Sequence, residues 1–180
     1  TTVGTDVITV TIAEASTATI AELVAINAAT AGAITLSTET IAANYSDTAV
    51  NLAAAFTGIT THTGTLTITG TNPTVTQLNA IAAATSGNVT ATISDTATNL
   101  ATLTTIATDD IAITIAEGST ATIAELVSIN AATAGTITLS TETIAADYSD
   151  TATNFAAAFS GITTHTGDLT IAEGSTATIA

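Results

Sequence analysis

The stretch TIAEASTATIAELV, which occupies Thr11–Val24, returns almost unchanged as TIAEGSTATIAELV at Thr114–Val127. Both belong to a longer duplication: Thr11–Ile68 and Thr114–Ile171 are 103 residues apart and differ at only 8 of 58 positions. The beginning of the stretch occurs a third time, at Thr170–Ala180. Repetition of this kind indicates a fold that is built from similar units added one after another.

A shorter and looser period lies within each copy. A polar residue followed by Leu or Phe recurs every 22 to 29 residues, with the apolar member at Leu23, Leu52, Leu78, Leu100, Leu126 and Phe155. Periods of about 20–50 residues are typical of solenoids, in which each unit buries its apolar side against its neighbours. We therefore predict one repeat array over 1–180, with units at approximately 1–14 (partial), 15–37, 38–69, 70–94, 95–117, 118–140, 141–173 and 174–180 (partial).

Each unit contains a helical pattern. Ile20, Leu23 and Val24 recur at helical spacing in one unit, and Leu52 and Phe56 do so in the next. Polar residues that could cap a helix precede these patterns at Ser16, Asp47, Asp95, Ser119 and Asp150, and a proline suited to a first helical turn stands at Pro73. Glycines suited to the left-handed residue after a helix follow at Gly32, Gly58, Gly87, Gly135 and Gly161.

An alternating run of apolar residues and threonines follows each of these glycines, which predicts a strand. Ile34 and Leu36 would face one way and Thr35 the other. Strands separated by a helix become parallel neighbours, so we predict an α/β parallel-sheet solenoid with one helix and one strand per turn, similar to leucine-rich-repeat geometry. The alternative is an all-β solenoid, although Ala-rich segments such as NLAAAF are poor strand material.

The composition restricts the class of partner. The chain carries 15 acidic residues and no Lys or Arg, which gives a formal net charge of −15. Nucleic acids and anionic membrane surfaces are excluded as partners, because both are recognised through cationic side chains. No uninterrupted apolar run approaches 18 residues, so no membrane insertion is predicted. The absence of cysteine excludes disulfides and thiolate metal sites.

Recurring carboxylates at the junctions between elements make calcium the candidate cofactor. Ca²⁺ prefers several carboxylate and carbonyl oxygens, which a stack of units could bring together. The alternative is that these residues cap helices and solvate turns. No EF-hand loop and no glycine-rich nonapeptide calcium motif is present. The candidate metal ligands are Glu14, Asp47, Asp95, Asp109, Asp110, Glu117, Asp150 and Glu173.

Three further patterns have a functional and a structural interpretation. His62 and His165 both lie in TTHTG and are interpreted as duplicated exposed loop residues; no catalytic residues or enzyme activity are predicted. Outward-facing threonines could order water, as in ice-binding solenoids, or could simply be good strand residues. Sequons at Asn44 and Asn88 permit N-glycosylation, and Thr-rich faces permit O-glycans, so glycans are candidate partners.

The phrases INAATAG, ITLS and SDTATNLA resemble the Thr/Ala-rich helix–strand tandem repeats of very large acidic extracellular proteins of bacteria, notably cyanobacteria. The resemblance implies a surface, adhesin or filament protein, often calcium-dependent. We therefore expect a structural repeat segment of an extracellular fibre, sheath or adhesin stalk that assembles covalently or by end-to-end stacking into a filament. The alternative is a calcium-, ice- or glycan-binding repeat module at the cell surface.

Overall fold

The computed structural model describes residues 4–70 and 72–172, and this part of the chain is an α/β protein. Its strands are β1 (Val10–Thr11), β2 (Ile34–Thr35), β3 (Tyr45–Thr48), β4 (Leu66–Thr69), β5 (Val89–Asp95), β6 (Asp110–Ile115), β7 (Ile137–Thr138), β8 (Tyr148–Asp150) and β9 (Leu169–Ile171). Its helices are α1 (Ile20–Ala29), α2 (Thr38–Ala42), α3 (Ala49–Ala55), α4 (Val75–Ala84), α5 (Ala97–Leu100), α6 (Ile123–Ala131), α7 (Thr141–Ala145) and α8 (Ala152–Ala158).

The strands form parallel sheets. A five-stranded sheet has the order β3-β4-β5-β6-β7, and two smaller sheets pair β1 with β2 and β8 with β9. Paired residues lie 21 to 24 positions apart, as in Tyr45 with Leu66 and Ile113 with Ile137. The predicted α/β class with parallel strands is confirmed, and the all-β alternative is wrong because helices alternate with the strands.

The chain divides into two compact units, Thr1–Ala91 and Thr92–Ala180. In the first, α3 packs against α1 and α4; in the second, α6 packs against α5 and α8. Each unit has an aliphatic core of fully buried side chains: Leu23, Leu52, Leu66, Leu78 and Ile81 in the first, and Ile93, Leu100, Ile111, Ile113, Ile115, Leu126 and Ile129 in the second. In the described part, no helix is long and apolar enough to cross a membrane.

The prediction of one helix and one strand per unit is wrong for 38–69 and 141–173. The first of these segments contains α2, β3, α3 and β4, and the second contains α7, β8, α8 and β9. The short helices α2 and α7 form because the Ser37 and Ser140 side chains accept the third backbone N–H of each helix. The sheet is interrupted at these places, since β2 does not pair with β3 and β7 does not pair with β8.

The observed N-caps lie one to three residues after the predicted ones. Thr19, Thr48, Thr96, Thr122 and Thr151 are the observed N-caps. The helix that follows Pro73 begins at Val75 with Thr74 as its cap, so the proline precedes the helix. Threonine takes this position because its hydroxyl accepts a backbone N–H from the first turn while its own backbone remains extended.

The predicted glycines have two different functions. Gly58 and Gly161 follow α3 and α8 with φ of 73°, as predicted. Gly32 and Gly135 do not have positive φ; a Cβ on either would lie 2.3 Å from a carbonyl oxygen of Ile8 or Ile111. Here glycine is required because a neighbouring backbone segment approaches too closely for any side chain.

Substitutions at two glycines of the loop between α3 and β4 can distinguish the two requirements for glycine, the left-handed conformation and the close approach of a neighbouring backbone segment. A Cβ on Gly64 would lie 2.0 Å from the Ala43 carbonyl oxygen, whereas a Cβ on Gly58 would meet nothing within 4 Å. We expect Gly64→Ala to lower the free energy of unfolding by about 3 kcal/mol or more through forced backbone displacement. Gly58→Ala should cost only about 1–2 kcal/mol, for the left-handed conformation. Urea unfolding of both variants tests this, and equal costs would contradict the close-packing explanation.

Candidate functional site

Buried Thr133, in the second unit, makes several hydrogen bonds to backbone groups through its hydroxyl. Its hydroxyl accepts the backbone N–H groups of Ile111 (2.9 Å) and Gly135 (2.7 Å). It donates toward the carbonyl oxygens of Ile111 at 2.8 Å and Asp109 at 3.1 Å. One hydroxyl therefore satisfies backbone groups of two chain segments that are more than 20 residues apart in sequence.

The same arrangement occurs at two places in the first unit. The Thr30 hydroxyl accepts N–H groups of Ile8 (3.0 Å) and Gly32 (2.8 Å) and donates to the Ile8 carbonyl at 2.7 Å. The Thr85 hydroxyl accepts the Gly87 N–H at 2.9 Å and donates to the Gly64 carbonyl at 2.8 Å. We call these three the Thr-x-Gly bridges: Thr30/Gly32, Thr85/Gly87 and Thr133/Gly135.

A second set of buried hydroxyls also forms hydrogen bonds to backbone groups of a segment more than 20 residues away in the sequence. The Thr143 hydroxyl accepts the Ala121 N–H at 2.9 Å, and the Ser140 hydroxyl donates to the Ser119 carbonyl. The equivalent pair, Ser37 and Thr40, makes matching contacts to Ser16 and Ala18. Among the residues described, no buried side-chain nitrogen or oxygen atom is without a hydrogen-bond partner. These hydroxyls therefore serve the protein's own backbone.

The calcium candidates Glu14 and Glu117 bind the start of a neighbouring helix. The Glu14 carboxylate accepts the hydroxyl (2.7 Å) and backbone N–H (3.2 Å) of Thr38. Glu117 binds Thr141 in the same way, and Glu142 of that helix accepts the Gly118 N–H at 3.0 Å in return. A carboxylate is favoured at a helix start because unpaired N–H groups point toward it.

Asp47, Asp95 and Asp150 make local contacts at the helix starts. Each carboxylate accepts the backbone N–H of the following threonine at 2.7 Å. Each also accepts an amide N–H from an asparagine four residues later, at 2.7–2.8 Å. These carboxylates hold the capping threonine in place. The predicted caps at Asp47, Asp95 and Asp150 are therefore wrong by one residue.

The remaining three candidate calcium ligands are Asp109, Asp110 and Glu173. Asp109 is buried and accepts the Ile106 N–H at 2.9 Å, whereas its neighbour Asp110 is exposed. Glu173 lies outside the described residues. Within 4–70 and 72–172, no group of three or more His, Asp or Glu side chains is placed to hold one metal ion. Calcium binding stays a prediction.

Two glutamates that were not predicted as site residues close capping boxes. Glu22 and Glu125 accept the backbone N–H and hydroxyl of Thr19 and Thr122, respectively. The backbone hydrogen bond from the threonine is the main cause that lowers the pKa of each glutamate. Glu125 also accepts the Thr98 hydroxyl at 2.8 Å. The carboxylates are therefore held in their charged form at helix starts.

The interpretation of His62 as an exposed loop residue is wrong. Its ring is fully buried, with centroids 4.8 Å from Phe56 and 5.6 Å from Tyr45. The tyrosine hydroxyl donates to the Ala18 carbonyl at 2.6 Å. His165 lies in an equivalent cluster with Tyr148 and Phe159 and is partly buried. The aromatic residues, sparse in the sequence, are concentrated at these two places, where their rings pack against one another and against the histidine.

The hydrogen bonds of His62 define its tautomer. Nε2 lies 2.9 Å from the Ala43 carbonyl oxygen, which only accepts, so this nitrogen carries a proton. Nδ1 is then an acceptor, and the Thr85 hydroxyl 3.1 Å away directs its single proton either to this nitrogen or to the Gly64 carbonyl oxygen. Burial lowers the pKa of the ring, and the Ala43 hydrogen bond opposes this effect. His62 thus joins aromatic packing to a backbone bridge in its neutral form.

The exposed face of the sheet carries hydroxyls in register. Ser46 of β3 pairs with Thr67 of β4, and Thr67 pairs with Thr90 of β5. Of the two sequon asparagines, Asn44 accepts the Thr65 N–H at 2.8 Å through its side chain, and both Asn44 and Asn88 are exposed. The predicted outward orientation of these threonines is confirmed, while ice and glycan binding stay predictions.

Thr133→Val tests the Thr-x-Gly bridge, because valine keeps the shape and removes the hydroxyl. The Ile111 and Gly135 N–H groups would lose their buried acceptor, so we expect a loss of roughly 2–4 kcal/mol in the free energy of unfolding. Thr133→Ser keeps the hydroxyl and should cost about 1 kcal/mol. Thr138→Val, on an exposed position of β7, should change stability by less than about 0.5 kcal/mol. Urea unfolding and amide exchange at Ile111 and Gly135 provide the measurements.

The buried His62 predicts a pH dependence of stability. Because its folded pKa is lowered, the unfolded chain binds the proton more tightly. The stabilisation is therefore complete above the ordinary pKa of about 6.5 and is lost as pH falls through the lowered folded value. His62→Gln should remove this dependence between pH 7.5 and 5.5. An NMR titration of the His62 ring with a midpoint at or above the ordinary value would contradict the prediction.

No protein-family model matches this chain, and neither do the curated proteins or the solved structures with which it was compared. The likeness to acidic bacterial repeat proteins stays a prediction that rests on the phrases INAATAG, ITLS and SDTATNLA.

Proposed function

We propose that this chain is a structural segment, an α/β-solenoid that forms part of an extracellular fibre, sheath or adhesin stalk. In this proposal the parallel strands continue as one stack of repeated units, and the segment joins others covalently or by end-to-end stacking. The proposal assigns the chain no catalytic activity. Its partners are further copies or further repeats of the same kind.

The observation that carries the proposal is the recurrence of the Thr-x-Gly bridges. Thr30 and Thr133 occupy equivalent positions in the 103-residue duplication and bind equivalent backbone atoms. Thr85, which lies outside the two duplicated segments, makes the same kind of contact. A binding site is usually a single arrangement in a protein, whereas a contact that joins each segment to its neighbour must recur with the period.

The use of polar side chains supports the same conclusion. Glu14, Glu117 and the three helix-start aspartates accept hydrogen bonds from the protein's own backbone and side chains. The buried hydroxyls do likewise. Side chains that bind a ligand or perform catalysis are usually held ready for an external partner, whereas these already have internal ones.

Composition supports a location outside the cell. A chain without Lys or Arg contains no site for trypsin-like proteases, which is useful for an exposed fibre. Its charge of −15 is tolerable in a saline medium, because at 0.15 M ionic strength charges more than about 8 Å apart are largely screened.

The second candidate is a binding module, and the in-register hydroxyls of Ser46, Thr67 and Thr90 are the observation that favours it. Such a row could order water on an ice surface or carry O-linked glycans. Calcium held by junction carboxylates such as Glu14 and Glu117 is the third version of this module. Each version adds a ligand to the solenoid and leaves its construction unchanged.

Electron microscopy of native material from the source organism tests the structural proposal. We expect elongated particles, and aligned material should diffract with a strand spacing of about 4.8 Å along the long axis, because the strands would lie across it. Compact isolated particles would contradict the fibre.

Removal of calcium from the same native material is the control that separates a structural role from calcium binding. If the role is purely structural, EDTA should leave both particle length and the unfolding temperature unchanged. A calorimetric Ca²⁺ signal together with a fall in unfolding temperature on EDTA would favour the binding module instead.

A further inference from the structure

Two grooves lie at equivalent places in the two copies of the duplication. The first groove, in the first unit, has a volume of about 460 Å³ and is lined by Asn27, residues 30–34 and residues 57–59. The second groove, in the second unit, has a volume of about 470 Å³ and is lined by the residues 103 positions later. Both volumes are in the range of sites for small molecules.

The first groove lies where the parallel sheet is interrupted. β2 pairs with β1 on one side, and in the described part of the chain no strand pairs with its other side. The carbonyl groups of the residues before and after Ile34 accept N–H groups from β1. Because alternate residues of a parallel strand bond to opposite sides, the Ile34 carbonyl points away from β1. Ile137, which lines the second groove, has the same position on β7 relative to β6.

Backbone N–H groups that line the grooves are already used within the protein. Ala31, Gly32 and Ile59 each donate their N–H to an oxygen atom of the protein at 2.8–2.9 Å. Their counterparts in the second groove do the same at 2.7–3.0 Å. A ligand in either groove therefore cannot use these donors without breaking an internal hydrogen bond.

Oxygen atoms remain able to accept hydrogen bonds in the same grooves. The Asn27 amide donates to two carbonyl groups at and just after the end of α3, at 3.2 and 2.9 Å, which leaves its Oδ1 as an acceptor. Asn130 makes the equivalent bonds in the second groove. The Thr57 hydroxyl donates to a carbonyl group of α3 at 2.8 Å, and its oxygen can still accept. The Ile34 carbonyl adds a further acceptor.

The charge around these acceptors favours a cation. Each groove adjoins the C-terminal end of α1 or α6, where unpaired carbonyl groups carry partial negative charge, and neither helix has a basic residue in its last turn. The chain has a net charge of −15 and no Lys or Arg. Among the described residues, none with a carboxylate lines either groove. Calcium prefers carboxylates, so the neutral acceptors suit a cation that donates hydrogen bonds better.

We propose that each groove binds an organic cation with hydrogen-bond donors, a primary ammonium or a guanidinium group. In the first groove its acceptors are the Asn27 amide oxygen, the Ile34 carbonyl and the Thr57 hydroxyl oxygen, and the Ile59 side chain suits an alkyl stem. Since the chain has no Lys or Arg, the cation comes from another molecule, either as a side chain of another polypeptide or as a small free amine. This binding goes beyond the structural role and does not depend on fibre formation.

NMR spectroscopy of the purified chain in 0.15 M NaCl tests the proposal. We expect n-butylammonium and n-propylguanidinium to shift the backbone amide signals of Ile34, Gly58, Ile137 and Gly161 in a saturable manner, with two sites per chain. Tetramethylammonium has the same charge and no N–H donor, so it should bind at least about tenfold more weakly. Equal affinities, or shifts spread over the whole acidic surface, would show an unspecific ion atmosphere and overturn the proposal, as would unchanged signals at the grooves.

A pair of charge-matched variants tests the position of the sites. Ala31 and Ala134 are exposed and line the grooves, so Ala31→Lys/Ala134→Lys places a cation at each site and should lower the affinity for n-butylammonium at least about tenfold. Ala21→Lys/Ala124→Lys makes the same change of net charge at exposed positions near the start of the same helices. It should change the affinity less than about twofold, because charges more than about 8 Å apart are largely screened. Equal losses in both variants would overturn the proposal.

Blocked tripeptides distinguish the source of the cation. Tighter binding of a lysine- or arginine-containing tripeptide than of n-butylammonium would assign the grooves to a basic side chain of a partner polypeptide. Tighter binding of n-butylammonium would assign them to a small free amine. The same tripeptide with norleucine has an alkyl side chain without charge and should not bind. Equal binding of the norleucine and lysine tripeptides would show that the cation is not recognised and would overturn the proposal.

Discussion

The close approach of neighbouring backbone segments is the constraint on which the structure depends. Parallel strands place residues 21 to 24 positions apart side by side, at a spacing of about 4.8 Å. Where the chain bends into a strand, it comes even closer, and a Cβ at Gly32, Gly64 or Gly135 would collide with a carbonyl oxygen. Backbone groups at these bends have no regular ladder, so a short hydroxyl side chain completes their hydrogen bonding. Threonine two residues before the glycine does this at Thr30, Thr85 and Thr133.

The absence of cations restricts how the remaining charges can be used. Without Lys or Arg, no carboxylate can be neutralised by those side chains, and the available donors are backbone N–H, hydroxyl and amide groups. The carboxylates of Glu14, Glu117 and Asp47 accordingly lie at helix starts, where the helix dipole and unpaired N–H groups favour negative charge. The thin aliphatic core and these local contacts provide the cohesion that ion pairs provide in other proteins, while the net charge opposes compaction and favours a saline surrounding.

Much of the architecture could be predicted because it depends on periodicity. The alternation of Ile34, Thr35 and Leu36 and the helical spacing of Ile20, Leu23 and Val24 report directly which side chains face the core. The short helices α2 and α7 were missed because five residues are too few for a periodic pattern, and only their serine caps mark them. His62 was misinterpreted because its burial depends on Tyr45 and Phe56, which are brought to it by the fold. The Thr-x-Gly bridges had a visible signal, threonine two residues before glycine, but glycine alone was interpreted, and as a helix end.

Contacts between neighbouring segments make the inner segments energetically different from the outer ones. Fixing the backbone of a residue costs about 1–2 kcal/mol in conformational entropy, and a segment recovers this cost through the surfaces that its neighbours cover. Ile113 on β6 is buried between two neighbouring strands, whereas within residues 4–70 and 72–172 Leu169 on β9 has a neighbouring strand on one side. Each added segment therefore stabilises the one before it, whether a peptide bond or a strand contact joins them.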